Sequence, residues 1–203
     1  ERQTEKEFEF IIADDGSKEE VVKEIESISS DYSFRIKHIR HSDKGFRKNK
    51  ILNQGILSSE SDHLIFIDAD CVPHSEFIKE HLNERAENTV CTGRRVNLSQ
   101  KLTDLLNEDK IINGFLEKNN LLLLEDALFG KSNCVEKGFY FENKFLRKLL
   151  NKKVRGLLGC NFSLFKKDML AINGFDERYE APSIGEDSDV QFRLELNGIK
   201  VKS

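Results

Sequence analysis

Short apolar runs that break off at aspartates recur through the first third of this chain. Phe8-Glu9-Phe10-Ile11-Ile12-Ala13 stops at Asp14-Asp15-Gly16-Ser17, and Leu64-Ile65-Phe66-Ile67 stops at Asp68-Ala69-Asp70. A run of this length bounded by turn residues reads as a buried strand. After each run the apolar spacing becomes helical. Val21, Val22, Ile25 and Ile28 share one face, and Ile51, Leu52 and Ile56 point inward from a helix expected over 47–58. A third helix is expected over 75–85, a half-exposed strand at Phe34–Ile39, and a short strand near Val90. Ser17 is expected to cap the first helix, with Glu20 as its capping-box partner. Strands alternating with helices imply βαβ crossovers, hence an α/β fold with a mainly parallel sheet and flanking helices. Such sheets bind ligands beyond the carboxyl ends of their strands. Asp14, Asp15, Asp68 and Asp70 all fall at such ends, which points to one shared site.

The chemistry these acids offer depends on their company. A pair such as Asp68 and Asp70 makes a poor core and a good cradle for a hard divalent cation, whose open positions phosphate oxygens can fill. Gly45-Phe46-Arg47-Lys48-Asn49-Lys50 puts three cations at an expected helix start, where anions are favoured; solvated lysines explain the same residues. Gly185-Glu186-Asp187-Ser188-Asp189 opens a helix expected to run to Leu196, with Gly198 as its stop. Carboxylates in a first turn suit the helix dipole, yet the loop Glu180–Ile184 before them can present Asp187 to a cleft as a proton acceptor. His74, after Pro73, reads as a surface or capping histidine. From Ser99 to Arg155 the pattern loosens. Lys144-Phe145-Leu146-Arg147-Lys148-Leu149-Leu150 suits an amphipathic helix, with surface packing preferred over membrane docking. Regularity returns over Leu157–Phe165.

Composition removes several classes. A length of 203 residues with 38% hydrophobic content fits one globular domain with a proper core. The 32 basic and 36 acidic residues, net charge −4, form no block of one sign, so no nucleic-acid partner is expected. Cys71, Cys91, Cys134 and Cys160 lack the close pairing of a zinc site and read as reduced thiols. No apolar run reaches the length of a membrane span and no signal peptide is visible, so an intracellular, cytoplasmic enzyme is the expectation. Neither a dinucleotide fingerprint nor a phosphate loop is present, which disfavours nicotinamide enzymes and ordinary nucleoside triphosphatases. The chain opens on Glu1 and closes at Val201-Lys202-Ser203, where another strand begins; an excised piece of a longer protein is expected.

Asp14-Asp15-Gly16-Ser17, Gly45–Lys50 and Asp68-Ala69-Asp70-Cys71-Val72-Pro73, in this order, closely resemble the inverting family-two glycosyltransferases of GT-A fold. Gly159-Cys160-Asn161-Phe162-Ser163, Asn173-Gly174-Phe175-Asp176-Glu177 and Gly185-Glu186-Asp187 extend the likeness, the last group also resembling a galactosyltransferase-like C-terminal region. The resemblance implies a nucleotide-sugar donor, usually a uridine diphosphate sugar, a glycan or glycolipid acceptor, and Mn2+ or Mg2+. It implies Asp14 or Asp15 at the uracil or ribose, Arg47 or Lys50 near base or phosphates, and Asp68 near the ribose and metal. Asp70 would ligate the metal, Asp187 would be the general base with Glu186 beside it, and Gly159 to Asn161 would line the donor sugar pocket. One GT-A domain over 1–203 follows, incomplete at both ends, with the nucleotide side at about 1–98 and the acceptor side at about 99–203. Against the family pattern, an upstream strand with a proline-containing turn is missing, Glu1–Thr4 reads as the tail of the helix after that turn, and a metal-ligating histidine is expected beyond Ser203. Bacterial surface polysaccharide synthesis, with peripheral membrane association left open, completes the expectation. A sugar-nucleotide pyrophosphorylase and a non-catalytic sugar-binding scaffold are the competing readings; the first would need a glycine- and lysine-rich phosphate signature, and the intact acids argue against the second.

Overall fold

Strand periodicity holds in the computed structural model, which describes residues 1–32, 34–143, 145, 155–181 and 185–203. Strand β1 (Glu9–Asp14) is followed by helix α1 (Glu19–Ser29), β2 (Arg35–Arg40), α2 (Lys48–Ser58), β3 (His63–Ile67), α3 (Phe77–Glu84) and β4 (Thr89–Thr92). Four short helices come next: α4 (Gln100–Leu105), α5 (Glu108–Ile112), α6 (Phe115–Lys118) and α7 (Asn120–Phe129). The chain returns through β5 (Asn161–Phe165), α8 (Lys166–Ala171), α9 (Glu186–Leu196) and β6 (Lys200–Lys202). The amphipathic segment expected at 144–150 lies outside the described residues except for Phe145, as do positions 182–184 of the loop before α9. Among the described residues no helix is long and apolar enough to cross a membrane.

The sheet differs from a simple parallel one. β1 and β2 form a parallel pair of their own, and the second sheet runs in the order β3-β5-β4-β6. β5 is antiparallel to both β3 and β4, while β4 and β6 are parallel. Thus β3, β4 and β6 share one direction and β5 is inserted against them. A crossover helix forces parallel pairing; the long excursion between β4 and β5 imposes no such constraint. The reversal has a functional result. The start of β5, at Gly159-Cys160-Asn161, lies at the same edge as the end of β3, with Ile67 opposite Asn161.

The main core lies under that edge. Phe162, Leu164, Met169, Val190 and Leu194 are fully buried, Phe66 stacks on Phe162 at 4.5 Å between ring centroids, and Phe175 stands edge-on to Phe66. Helix α2 is fastened to the segment leading toward α9. Asn49 Nδ2 donates to the Asp176 carbonyl at 2.8 Å, and Asn53 exchanges two hydrogen bonds with the Phe175 backbone. A second, smaller core joins Leu102, Leu123 and Val135 beneath α4 to α7.

Two local expectations change. Helix α1 begins at Glu19 after Lys18, without a side-chain cap; the Ser17 N–H is instead taken by Asp14 Oδ1 at 2.7 Å. Residues 1–8 are irregular rather than a helix tail. Gln3 is buried against α3, accepting from the Ile78 N–H at 3.0 Å and donating to the His74 carbonyl at 2.8 Å. His74 Nδ1 accepts from the Glu76 N–H at 3.1 Å in the turn before α3, a helix without a side-chain cap.

At the other end of β1, Glu9 Oε1 accepts from the N–H groups of Glu60 and Ser61 and from the Ser59 hydroxyl, at 2.7, 3.0 and 3.0 Å. Burial works to raise its pKa, but these donors win and hold the carboxyl at about 2, against an ordinary value of 4.5. A depressed carboxylate stabilises the fold fully above its unfolded value and loses that contribution as pH falls through the folded one. Glu9→Ala is expected to cost about 1–3 kcal/mol at pH 7. In acid titration the gap between variant and parent narrows below pH 4.5 and closes near about 2; a gap independent of pH in urea unfolding would refute this.

Candidate active site

The edge where β3 ends and β5 begins collects four charged side chains. Lys48, the first residue of α2, donates from Nζ to Asp68 Oδ1 at 2.9 Å and lies 3.8 Å from Glu186 Oε1. Burial alone would discharge Lys48, but Asp68, Glu186 and Asp187 outweigh it and its pKa is raised. Glu186 moves upward as well. Burial raises it, Lys48 opposes, and the neighbouring Asp187 and Asp68 add to the rise. Its Oε2 is buried with no hydrogen-bond partner.

Asp187 is positioned by the backbone of β5. Its Oδ2 accepts from the Gly159 N–H at 2.8 Å. A Cβ at residue 159 would sit 2.2 Å from Asp187 Oδ1, so only glycine permits this approach. Asp189, two residues on, has a different occupation: it pairs with Arg193 at 2.6 Å, and Arg193 bonds the carbonyls of Ile172 and Gly174. Of the acids that open α9, Glu186 and Asp187 therefore face the site and Asp189 braces the helix.

Asp14 and Asp15 serve the fold. Asp14 is buried; Oδ1 accepts from the N–H groups of Gly16 and Ser17, and Oδ2 meets His38 Nε2 at 3.0 Å. Burial pushes its pKa up, and Ser17 and His38 bring it below the ordinary value. Asp15 receives His41 Nε2 at 2.6 Å on one oxygen and the Arg47 N–H at 2.7 Å on the other. An aspartate at such a turn satisfies the local N–H groups: Asp14 supports the turn, and Asp15 anchors the approach to α2. Gly16, at φ +96°, allows Asp43 to come within 2.6 Å of where a Cβ would be.

Three further candidate residues, Lys50, Arg47 and Asn161, lie as follows. Lys50 is exposed, about 200° around the helix from Lys48, so Lys48 is the cation that faces the acids. Arg47 turns its guanidinium back to the Ser42 carbonyl. Asn161 does not present its amide to a pocket: Oδ1 meets buried His81 Nε2 at 2.9 Å, and Nδ2 donates to the Arg94 carbonyl at 2.9 Å. The Asn173–Glu177 motif borders a different hollow of about 610 Å³ behind α2, which Asn53, Leu57, Leu170 and Arg193 help to line. Sequence reasoning gave no separate role to Lys48, His81 or Arg95. His81 carried one signal, since it lies four residues after Phe77 on a shared helix face.

Asp70 is exposed on the turn after β3, accepting a weak hydrogen bond from the Cys71 thiol at 3.6 Å, with Arg95 nearby. Asp68 and Asp70 carry hard carboxylate oxygens, and the Asp68 carboxylate is paired with Lys48. Among the described residues no three His, Cys, Asp or Glu side chains form a metal cage. Two carboxylates that leave further positions for phosphate oxygens are a donor set that fits Mg2+ or Mn2+.

The α/β sheet with flanking helices is that of a GT-A-type domain. The structure of S. aureus TarS shares this fold, with a TM-score of 0.55 and 15% identity over 100% of this chain and 31% of that one. The chain belongs to glycosyl transferase family 2, whose sequence pattern matches residues 1–167. Residues 143–203 match a second family, described as the N-terminal domain of galactosyltransferase. Chondroitin synthase of Escherichia coli is 27% identical over 97% of this chain and 29% of its own length. An uncharacterised glycosyltransferase of Bacillus subtilis is 25% identical over 98% of this chain and 55% of its length. Hyaluronan synthase of Pasteurella multocida is 24% identical over 92% of this chain and 19% of its length. The chain thus spans between a fifth and about half of these relatives.

Proposed function

We propose that this chain carries the donor-binding and catalytic part of a metal-dependent, inverting glycosyltransferase. Its donor is a uridine diphosphate sugar and its acceptor a growing glycan or a glycolipid, in the synthesis of a bacterial surface polysaccharide. The observation that carries the reading is the meeting of Lys48, Asp68, Glu186 and Asp187 at one sheet edge, with Asp187 held by the Gly159 N–H. The names of the chondroitin and hyaluronan synthases support a polysaccharide product. A nucleotide-sugar donor supports a cytoplasmic location, at the inner face of a membrane where the acceptor is a glycolipid. Residues 1–98 would form the donor side and 99–203 the acceptor side, with Gly159 and Asp187 reaching back to the donor.

The residues divide the work. Asp187 Oδ1, the oxygen not bonded to Gly159, takes the proton of the acceptor hydroxyl. The hydroxyl oxygen then bonds the anomeric carbon from the face opposite the diphosphate, which leaves with the electron pair of the broken C–O bond; attack from that face inverts the centre. Lys48 offers a fixed positive charge where the diphosphate gains negative charge, a stabilisation that costs no reorganisation. Mn2+ or Mg2+ bound by Asp70 and Asp68 would supply further neutralisation of that leaving group.

Thermal unfolding tests the donor half of the reading. With Mn2+ and the correct uridine diphosphate sugar at a hundredfold over its Kd, stabilisation of about 2.7 kcal/mol is expected. For a domain of this size that is a Tm rise of roughly 5–10 °C. Asp70→Ala is expected to abolish the rise and leave the ligand-free Tm unchanged. A panel of nucleotide sugars that never moves the parent Tm would overturn the assignment.

A further inference from the structure

We propose that His81 is a positioning residue: through the Asn161 side chain it sets the turn whose Gly159 N–H holds Asp187. Its effect on catalysis rests on the role of Asp187 proposed above, whereas its hold on the turn does not. His81 is buried on α3, with Nδ1 2.8 Å from the Ser163 hydroxyl and Nε2 2.9 Å from Asn161 Oδ1. One group fixes the protons of this network. The Arg94 carbonyl can only accept, so the Asn161 amide nitrogen, 2.9 Å away, faces it and Oδ1 faces the ring. Oδ1 also only accepts, so His81 carries its proton on Nε2. Burial lowers the His81 pKa from its ordinary value of 6.5, with Asn161 and Glu80 opposing, and leaves the ring neutral at pH 7. Nδ1 is then bare and accepts from the Ser163 hydroxyl.

Asn161 closes the turn that leads into β5. Its N–H donates to the Leu158 carbonyl at 2.8 Å, and its carbonyl accepts from the Gly93 N–H at 2.8 Å. A Cβ at residue 93 would lie 2.3 Å from the Asn161 amide, so glycine there leaves room for that side chain between Arg94 and His81. The turn delivers two N–H groups to α9: Leu157 to Gln191 Oε1 and Gly159 to Asp187 Oδ2, each at 2.8 Å. Leu158 between them donates to Thr92 Oγ1 at 3.2 Å. Without a donor at the position of His81 Nε2, Asn161 Oδ1 is left unsatisfied, the amide turns to find one, and the turn moves with it. Displacing a reacting group by about 1 Å costs on the order of 10²-fold in rate. Lys48 and Asp68 bond each other rather than this network, so donor binding is expected to be untouched.

The test compares two amides at position 81 in the whole protein. An asparagine ends at the level of Nδ1 and can keep the Ser163 bond but not the Asn161 one. A glutamine reaches the level of Nε2 and can donate to Asn161 but gives up Ser163. His81→Asn is expected to lower kcat for sugar transfer by about 10²-fold with donor KM unchanged, and to free the Gly159 N–H for hydrogen exchange. His81→Gln is expected to keep most of the parent's kcat and the protection of that N–H. In the parent, proton–nitrogen correlation spectra are expected to show the His81 proton on Nε2 and a protected Gly159 N–H. Equal rate losses in the two variants, following their loss of Tm, would overturn the proposal. So would a proton on Nδ1, or free exchange at Gly159 in the parent, whether or not either variant folds. Should the tautomer and the Gly159 protection hold in a protein that transfers no sugar, the grip of His81 on the turn stands and the functional reading falls.

Discussion

Asp187→Asn is expected to lower sugar transfer by about 10²–10⁴-fold, the range that a positioned general base contributes, while donor affinity is unchanged. The substitution keeps shape. An asparagine oxygen can still accept the Gly159 N–H that Asp187 Oδ2 accepts at 2.8 Å, so the geometry of the edge survives and only the proton acceptor is lost. The effect therefore belongs in kcat, with the donor-dependent Tm rise intact. Glu186 is the control. It is held among Lys48, Asp68 and Asp187, so Glu186→Gln alters the charge balance around Lys48 and is expected to move donor KM as well. Wild-type kcat in Asp187→Asn would remove this residue from the base role.

Gly159→Ala is the second large effect, and it acts through Asp187. The new methyl would lie 2.2 Å from Oδ1 and 2.9 Å from Oδ2, so the carboxylate has to move. Displacing a reacting group by about 1 Å costs on the order of 10²-fold in rate, and overpacking costs about 1–3 kcal/mol in stability. A double-mutant cycle separates the two. In an Asp187→Asn background, where the base is already absent, Gly159→Ala is expected to add almost nothing to the rate defect while its stability cost persists. Fully additive rate losses would show that Gly159 acts by another route.

The same pair shows how far a sequence can be read. Periodicity located β1, β2, β3, α2 and α9 to within a residue or two, because apolar and polar residues alternate or recur at the spacing of each element. It could not show that β5 runs backwards, since alternation of side chains carries no direction, and the reversal is what sets Asn161 opposite Ile67. Lys48 and Lys50 were likewise indistinguishable from composition. Which of them faces the acids depends on where α2 begins, and each residue turns the helix by about 100°. Asp14 was different, for the turn signal of an aspartate before Gly-Ser was present beside the ligand-like one. The links between Asn161, His81 and the Arg94 carbonyl span up to 80 positions, and no local pattern encodes them. The section from 99 to 155 hid its order for a related reason: Leu102, Leu123 and Val135 sit on separate short elements and share no period.

That small cluster has an evolutionary consequence. Residues packed about a private nucleus can be exchanged, lengthened or shortened while the main hydrophobic centre beneath Lys48 and Asp187 keeps its own contacts. A lineage of such chains is free to vary α4 to α7 while the larger centre stays as it is.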